Sequence, residues 1–252
     1  MPDRSQTGRS PLLEVKSVSK RFAGLLALDA VSLSVFPGEV LALAGDNGAG
    51  KSTLIKIISG AYRPDSGEIW YEGEQRRFES PGEARAAGIE TIYQDLALAD
   101  NLDIGANIFL GREPTHRRFG IKVLDRRKMR AAAESAAKAL DMDIENFDAP
   151  VGQLSGGQRQ AVAIGRAIYG EARLVIMDEP MAALNATKHP NVLALIQTFR
   201  DRGCGVIFVA HDLDSVFATA DRIVVLRGGV MAGEHAKAAT NPDEIVRLMS
   251  GG

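Results

Sequence analysis

Apolar and polar positions alternate along residues 12–22, "LLEVKSVSKRF", and again along "ALDAVSLSVF", residues 27–36. That period of two predicts half-buried strands. Pro37-Gly38 marks a turn, and "EVLALAG" then gives a short apolar run bounded by glycine, the pattern of a buried parallel strand. "KSTLIKIISG", residues 51–60, switches to helical spacing and ends on Gly60. "GEIWYEG" and "ETIYQD" predict two further strands. From Leu96 to Ala139 the pattern predicts a helix-rich stretch, with "DRRKMRAAAESAAKALDM" as a strong helix former. Three β-branched runs follow, "RLVIMDEP", "GVIFVAHD" and "RIVVLRGG", separated by helical segments. Strands alternating with helices predict an α/β fold with a parallel sheet. The helix-rich middle reads as an insertion into it, and residues 1–11 read as a disordered tail.

Composition narrows the classes. Thirty Lys/Arg stand against 32 Asp/Glu, a net charge of -2, which argues against a constitutive nucleic-acid binder. The single cysteine, Cys204, excludes a disulfide framework and reads as a small buried hydrophobe. No run approaches the roughly 20 apolar residues needed to cross a bilayer. The polar start lacks a hydrophobic signal region. Attachment to a membrane is therefore expected through a partner.

The chemistry concentrates in two stretches. Residues 45–53, "GDNGAGKST", fit a phosphate-binding loop: Gly45, Asp46, Asn47, Gly48, Ala49, Gly50, Lys51, Ser52 and Thr53. The loop follows a predicted strand and opens a predicted helix, whose N-terminus favours anions. Lys51 suits β- and γ-phosphates, and the Ser52 hydroxyl suits Mg²⁺. In "RLVIMDEP" Asp178 falls at the tip of a strand, where ligands of α/β sheets bind. It is expected to serve the metal, and Glu179 to polarise an attacking water. On its own such an acid pair is as readily a capped strand end.

"QLSGGQRQ", residues 153–160, resembles the signature of ATP-binding-cassette (ABC) proteins, and so does the order of all the motifs. Gln94 in "IYQD" stands at the Q-loop position, His211 in "VAHD" at the switch-histidine position, and Phe22 in "SKRF" where an aromatic stacks on adenine. The resemblance implies a P-loop NTPase cassette: a RecA-like parallel sheet core, an N-terminal antiparallel β subdomain and an inserted α-helical subdomain. It places one nucleotide-binding domain at 12–252 and the helical subdomain at about 96–165. It further implies that Lys51, Gln94, Glu179 and His211 take part in hydrolysis of ATP. Ser52, Gln94 and Asp178 would hold Mg²⁺. Ser155, Gly156, Gly157 and Gln158 would cap ATP held by a second cassette. His116, His189 and His235 read as structural.

Residues 92–114, "IYQDLALADNLDIGANIFLGREP", are similar to the matching stretch of bacterial monosaccharide importers of the ribose, xylose and fructose class. In that class this region docks the membrane subunit. The resemblance thus implies a peripheral subunit on the cytoplasmic face of the inner membrane. Its expected partners are a second cassette, as a homodimer, a transmembrane permease and, indirectly, a periplasmic sugar-binding protein. The other reading is a soluble cassette of a cytosolic assembly complex of the iron–sulfur type. Many importers of this class fuse two cassettes, whereas one is seen here. The chain also departs from the family in "DEPMAALNATKHP", residues 178–190. Met181 replaces a usual threonine and is expected to crowd a dimer seam. Asn185 replaces an aspartate and suits a helix cap. Pro190 requires the next helix either to begin late, near Pro190 as its first residue, or to be kinked there.

Overall fold

The structure is a computed structural model that describes residues 10–118, 120–170, 172–210 and 212–251. The chain divides into two compact units. One comprises the residues up to Thr91, Ala172–Glu179 and everything from Ile196 onward; the other comprises 92–170 and Pro180–Leu195.

The first unit contains two sheets. β1 (Leu13–Phe22) pairs antiparallel with β2 (Leu25–Val35) and with β4 (Ser66–Tyr71), and β5 (Glu74–Arg76) completes the order β2-β1-β4-β5. Leu13 and Val15 of β1 are buried with Glu14 more open between them, as the alternation predicted; the period then breaks at an irregularity around Ser17, φ 49°, and Val18 is the next buried position. The six-stranded sheet runs β12-β11-β3-β10-β9-β6. Its centre is β3 (Val40–Ala44), β10 (Gly205–Val209) and β9 (Leu174–Asp178), mutually parallel and buried at every residue. β11 (Arg222–Arg227) joins β3 in parallel, and β12 (Val230–Ala236) closes that edge antiparallel. The opposite edge is β6 (Ile89–Ile92). The "ETIYQD" strand therefore ends two residues before Gln94.

α1 (Lys51–Ile58) follows β3 directly and buries Leu54, Ile55, Ile57 and Ile58. α2 (Pro81–Ala86) is capped by the Ser80 side chain, which accepts the Glu83 N–H. α7 (Leu213–Thr219) is capped by Asp212, and α8 (Pro242–Ser250) by Asn241. Each cap satisfies amides that the first turn of a helix leaves unpaired.

The second unit is built on α3 (Ile104–Ile108), α4 (Arg126–Ala139) and α5 (Gly156–Tyr169). Its core is small-residue packing: Ala132, Ala133, Ala136 and Ala137 of α4 meet Ile104, Ile108, Phe109 and Val162. The expected helix-rich stretch holds a hairpin as well as its helices. Between α3 and α4 lies an antiparallel hairpin of β7 (Thr115–Arg118) and β8 (Ile121–Leu124). Thr115, Ile121 and Val123 are β-branched and favour extended backbone, a preference hidden by the charges around them. α6 (His189–Asp201) begins after a 3-10 turn, Ala186–Lys188. Pro190 thus falls in the first turn of α6, where its missing N–H costs nothing. Among the described residues no helix is long and apolar enough to cross a membrane.

Candidate nucleotide-binding site

The phosphate loop leaves the buried tip of β3. Gly45 has φ 147°, and a Cβ there would lie 2.3 Å from the Leu226 carbonyl oxygen. Gly50, the N-cap of α1, has φ 105°, and a Cβ there would meet Leu28 at 2.7 Å and the Ala27 oxygen at 2.8 Å. Both positions exclude any side chain, so the loop backbone is held in a shape other residues strain to adopt. Asp46, Asn47 and Gly48 form its exposed rim, and Ala49 is buried. Thr53 follows in the first turn of α1, half-buried.

Lys51 is the first residue of α1 and is buried. Its ammonium donates to the Gly45 oxygen at 2.6 Å and the Asp46 oxygen at 3.0 Å. Burial pulls its pKa down from the ordinary lysine value, and Glu179, Asp178 and Asp46 oppose that shift. Asp178 ends β9, buried, with its carboxylate bonded by the Ser52 hydroxyl. Its pKa is raised, first by burial and then by the neighbouring Glu179 charge, against the pull of Lys51 and Ser52. Glu179 is half-buried, and its amide donates to the Val209 oxygen at 3.0 Å. Its φ is 53°, a left-handed conformation that costs a non-glycine residue about 1–2 kcal/mol. One cation, one hydroxyl and two acids therefore converge on one strand tip and one helix start.

Phe22 ends β1 and is 39% exposed, with its ring edge-on to Tyr62 at 5.3 Å and 64°. It is a presented aromatic and no part of the core. Sequence reasoning missed its companion Tyr62, which carries no motif.

In the second unit Ser155 caps α5. Its side chain accepts the Gln158 N–H at 3.3 Å, and the Gln158 amide oxygen accepts the Ser155 N–H at 2.9 Å. Gln158 also donates to the Asp143 oxygen at 2.7 Å, so its amide is engaged at both ends. Gly156 and Gly157 open the helix beside the 181–185 turn: a Cβ on them would lie 3.7 Å from Ala183 and 3.3 Å from Leu184. Ser155 itself stays exposed, with a hydroxyl proton to donate. Met181, expected at a dimer seam, is 8% exposed and tucked into the chain itself. Asn185 precedes the 3-10 turn, but its side chain makes no cap hydrogen bond.

Gln94 sits in an exposed bend after β6. The residues beyond it are shaped by two polar groups that sequence reasoning passed over. Asn107, fully buried, accepts the Ala99 N–H at 2.8 Å and donates to the oxygens of Ala99, Leu102 and Asp103 at 3.0–3.2 Å. Arg166 of α5, also buried, donates to the Asn107 oxygen at 3.2 Å and the Ala97 oxygen at 3.3 Å. The available signal was a polar residue inside an apolar helical run, "IGANIF" and "AIGRAIY", since such a group must find partners. His211 lies outside the described residues.

A family model described as ABC transporter matches residues 28–182. The xylose/arabinose import ATP-binding protein of Sulfolobus acidocaldarius is 46% identical over 241 residues, which are 96% of this chain and 94% of that one. A ribose import ATP-binding protein of Rubrobacter xylanophilus is 42% identical over 244 residues, 97% of this chain but 46% of that one. The chain thus spans about half the length of that ribose relative. Among solved structures, an ATP-binding cassette of an ABC transporter in its ADP conformation superposes with a TM-score of 0.75. The two are 27% identical, covering 96% of this chain and 95% of that one. The phosphate loop on its glycine frame, the acid pair at the β9 tip and the capped start of α5 are thereby accounted for together: the chain belongs to the ABC transporter family, as one of its α/β ATP-binding cassettes.

Proposed function

We propose that this chain is the ATP-hydrolysing subunit of an importer for a simple sugar. It would drive transport through a partner permease by ATP-dependent pairing of two cassettes. The observation that carries the reading is the convergence of Lys51, Ser52, Asp178 and Glu179 at the end of β3 and β9. The glycine frame leaves loop amides facing a phosphate chain, and Lys51, already bonded to two loop carbonyls, can exchange one for a phosphate oxygen. Ser52 and Asp178 form a hydroxyl–carboxylate oxygen pair that fits a hard divalent cation such as Mg²⁺. Among the described residues no cluster of three or more His, Cys, Asp or Glu side chains exists to hold a metal. The ion would therefore share its coordination with phosphate and water oxygens, and Gln94 is assigned to it on family grounds. Bound Mg²⁺ would supply charge neutralisation at the phosphates. Glu179 is placed to take a proton from water, and His211 is assigned to the γ-phosphate on family grounds.

Residues 12–252 would act as one nucleotide-binding domain, with about 96–165 as its helical part. Ser155, Gly156 and Gly157 would meet ATP on a second copy. The 92–114 segment would dock the permease at the cytoplasmic face of the inner membrane, with a periplasmic sugar-binding protein acting upstream. Relatives named as pentose import proteins support this reading over a cytosolic assembly cassette. The test is Glu179→Gln with Mg-ATP: nucleotide binding persists, turnover collapses and the chain becomes a dimer. Wild-type turnover in this variant would remove Glu179 from the reaction.

A further inference from the structure

The β7–β8 hairpin is the part of the molecule whose burial least matches its composition. Every described side chain on its two strands is exposed, including Ile121 at 69%, Val123 at 41% and Leu124 at 43%. Leu124 also lines a cleft with Met129 and Phe147, so the ribbon is only partly covered, and a two-stranded ribbon is marginal by itself in water. The register sets Val123 opposite His116 and Lys122 opposite Arg117. His116, Ile121 and Val123 share one face; Arg117, Lys122 and Leu124 share the other. Apolar and cationic groups are thus mixed on both faces. Residues 112–130 carry eight Lys/Arg against two Asp/Glu, a net +6 inside a chain whose net charge is -2. The remainder of the chain is consequently net acidic, with 22 Lys/Arg against 30 Asp/Glu.

We propose that this hairpin contacts the anionic phospholipid surface of the membrane directly, with the face that carries Arg117 and Lys122 at the headgroups. The charge pattern selects that occupant. A basic ribbon on an acidic body is drawn to a negative surface while the body is held off it, which orients the attachment. The inference rests on the membrane-side placement proposed above and adds a lipid contact to the permease contact.

The experiment floats the full chain, with no permease present, on phosphatidylcholine vesicles with and without phosphatidylglycerol. Binding is expected only with phosphatidylglycerol and should fall as salt rises. Each cation near such a surface strengthens attachment by roughly fivefold, so Arg117→Glu with Lys122→Glu should weaken binding about twenty-fold or more. Basal ATPase should stay unchanged, which also reports that the variant folds. Arg76→Glu with Arg77→Glu alters net charge equally at exposed positions elsewhere and should leave vesicle binding nearly intact. Ile121→Ser with Val123→Ser, on the opposite face, should leave vesicle binding nearly intact. The proposal is overturned if the wild type does not float, if both charge-reversal pairs lose binding equally, or if the chain is retained by heparin but by no vesicle. Failure to co-purify with a permease while vesicle binding persists would count against the importer reading and leave the lipid contact standing.

Discussion

The loop after β3 and the segment after β6 both leave the tip of a buried strand, and both hold a fixed course without regular structure. The first does so with backbone alone. Gly45 and Gly50 occupy conformations and spaces closed to other residues, and its one committed side chain, Lys51, bonds the loop's own carbonyls. The second is held from outside by the side chains of Asn107 and Arg166, which bond the backbone at Ala97, Ala99, Leu102 and Asp103. A backbone-held loop presents amides and suits an anion. A side-chain-held segment keeps its own surface residues free to vary with the partner it meets.

That contrast can be broken at either end. The largest effect is expected at the chemistry: Glu179→Gln should lower turnover by about 10²–10⁴-fold, the range for removing a general base, with ATP affinity retained. Single-turnover ATPase assays with equilibrium binding on the same sample measure both. Gly45→Ala forces a Cβ onto the Leu226 carbonyl and should weaken ATP binding by more than tenfold, read by fluorescent-nucleotide titration. Asn107→Leu strips four hydrogen bonds from buried backbone and should cost about 3 kcal/mol of stability. Nucleotide affinity should be almost unchanged. Denaturant melts with and without ATP separate the two, and a loss of ATP affinity matching that of Gly45→Ala would erase the distinction. Met181→Thr is the smallest. Because Met181 is buried in its own chain, the change should cost about 2 kcal/mol through lost packing. Activity measured against protein concentration should not rise, and a rise at low concentration would restore the seam account.

The sheet was legible because its strands carry the periods their burial demands. β3, β9 and β10 are unbroken apolar runs, and β1 alternates at its start. The phosphate loop was legible because its glycines have no substitute. The hairpin was not: its strands are four residues each, and neither face is buried, so no hydrophobic period was written into them. Met181 was misplaced because position beside a motif says nothing about which way a side chain turns. Arg166 was missed because its partners lie up to 69 positions away, which no local window joins, and Asn107 because its partners are backbone groups of an irregular segment, which leave no side-chain pattern.

Glu179 holds a further meaning in its backbone. Its left-handed φ of 53° is a conformation glycine adopts freely. A lineage with no turnover to maintain would gain stability from Glu179→Gly, a change of a single residue that also removes a charge crowding the buried Asp178. The strained glutamate is thus what the proposed reaction would require at position 179, and Glu179→Gly should raise stability while removing the acid.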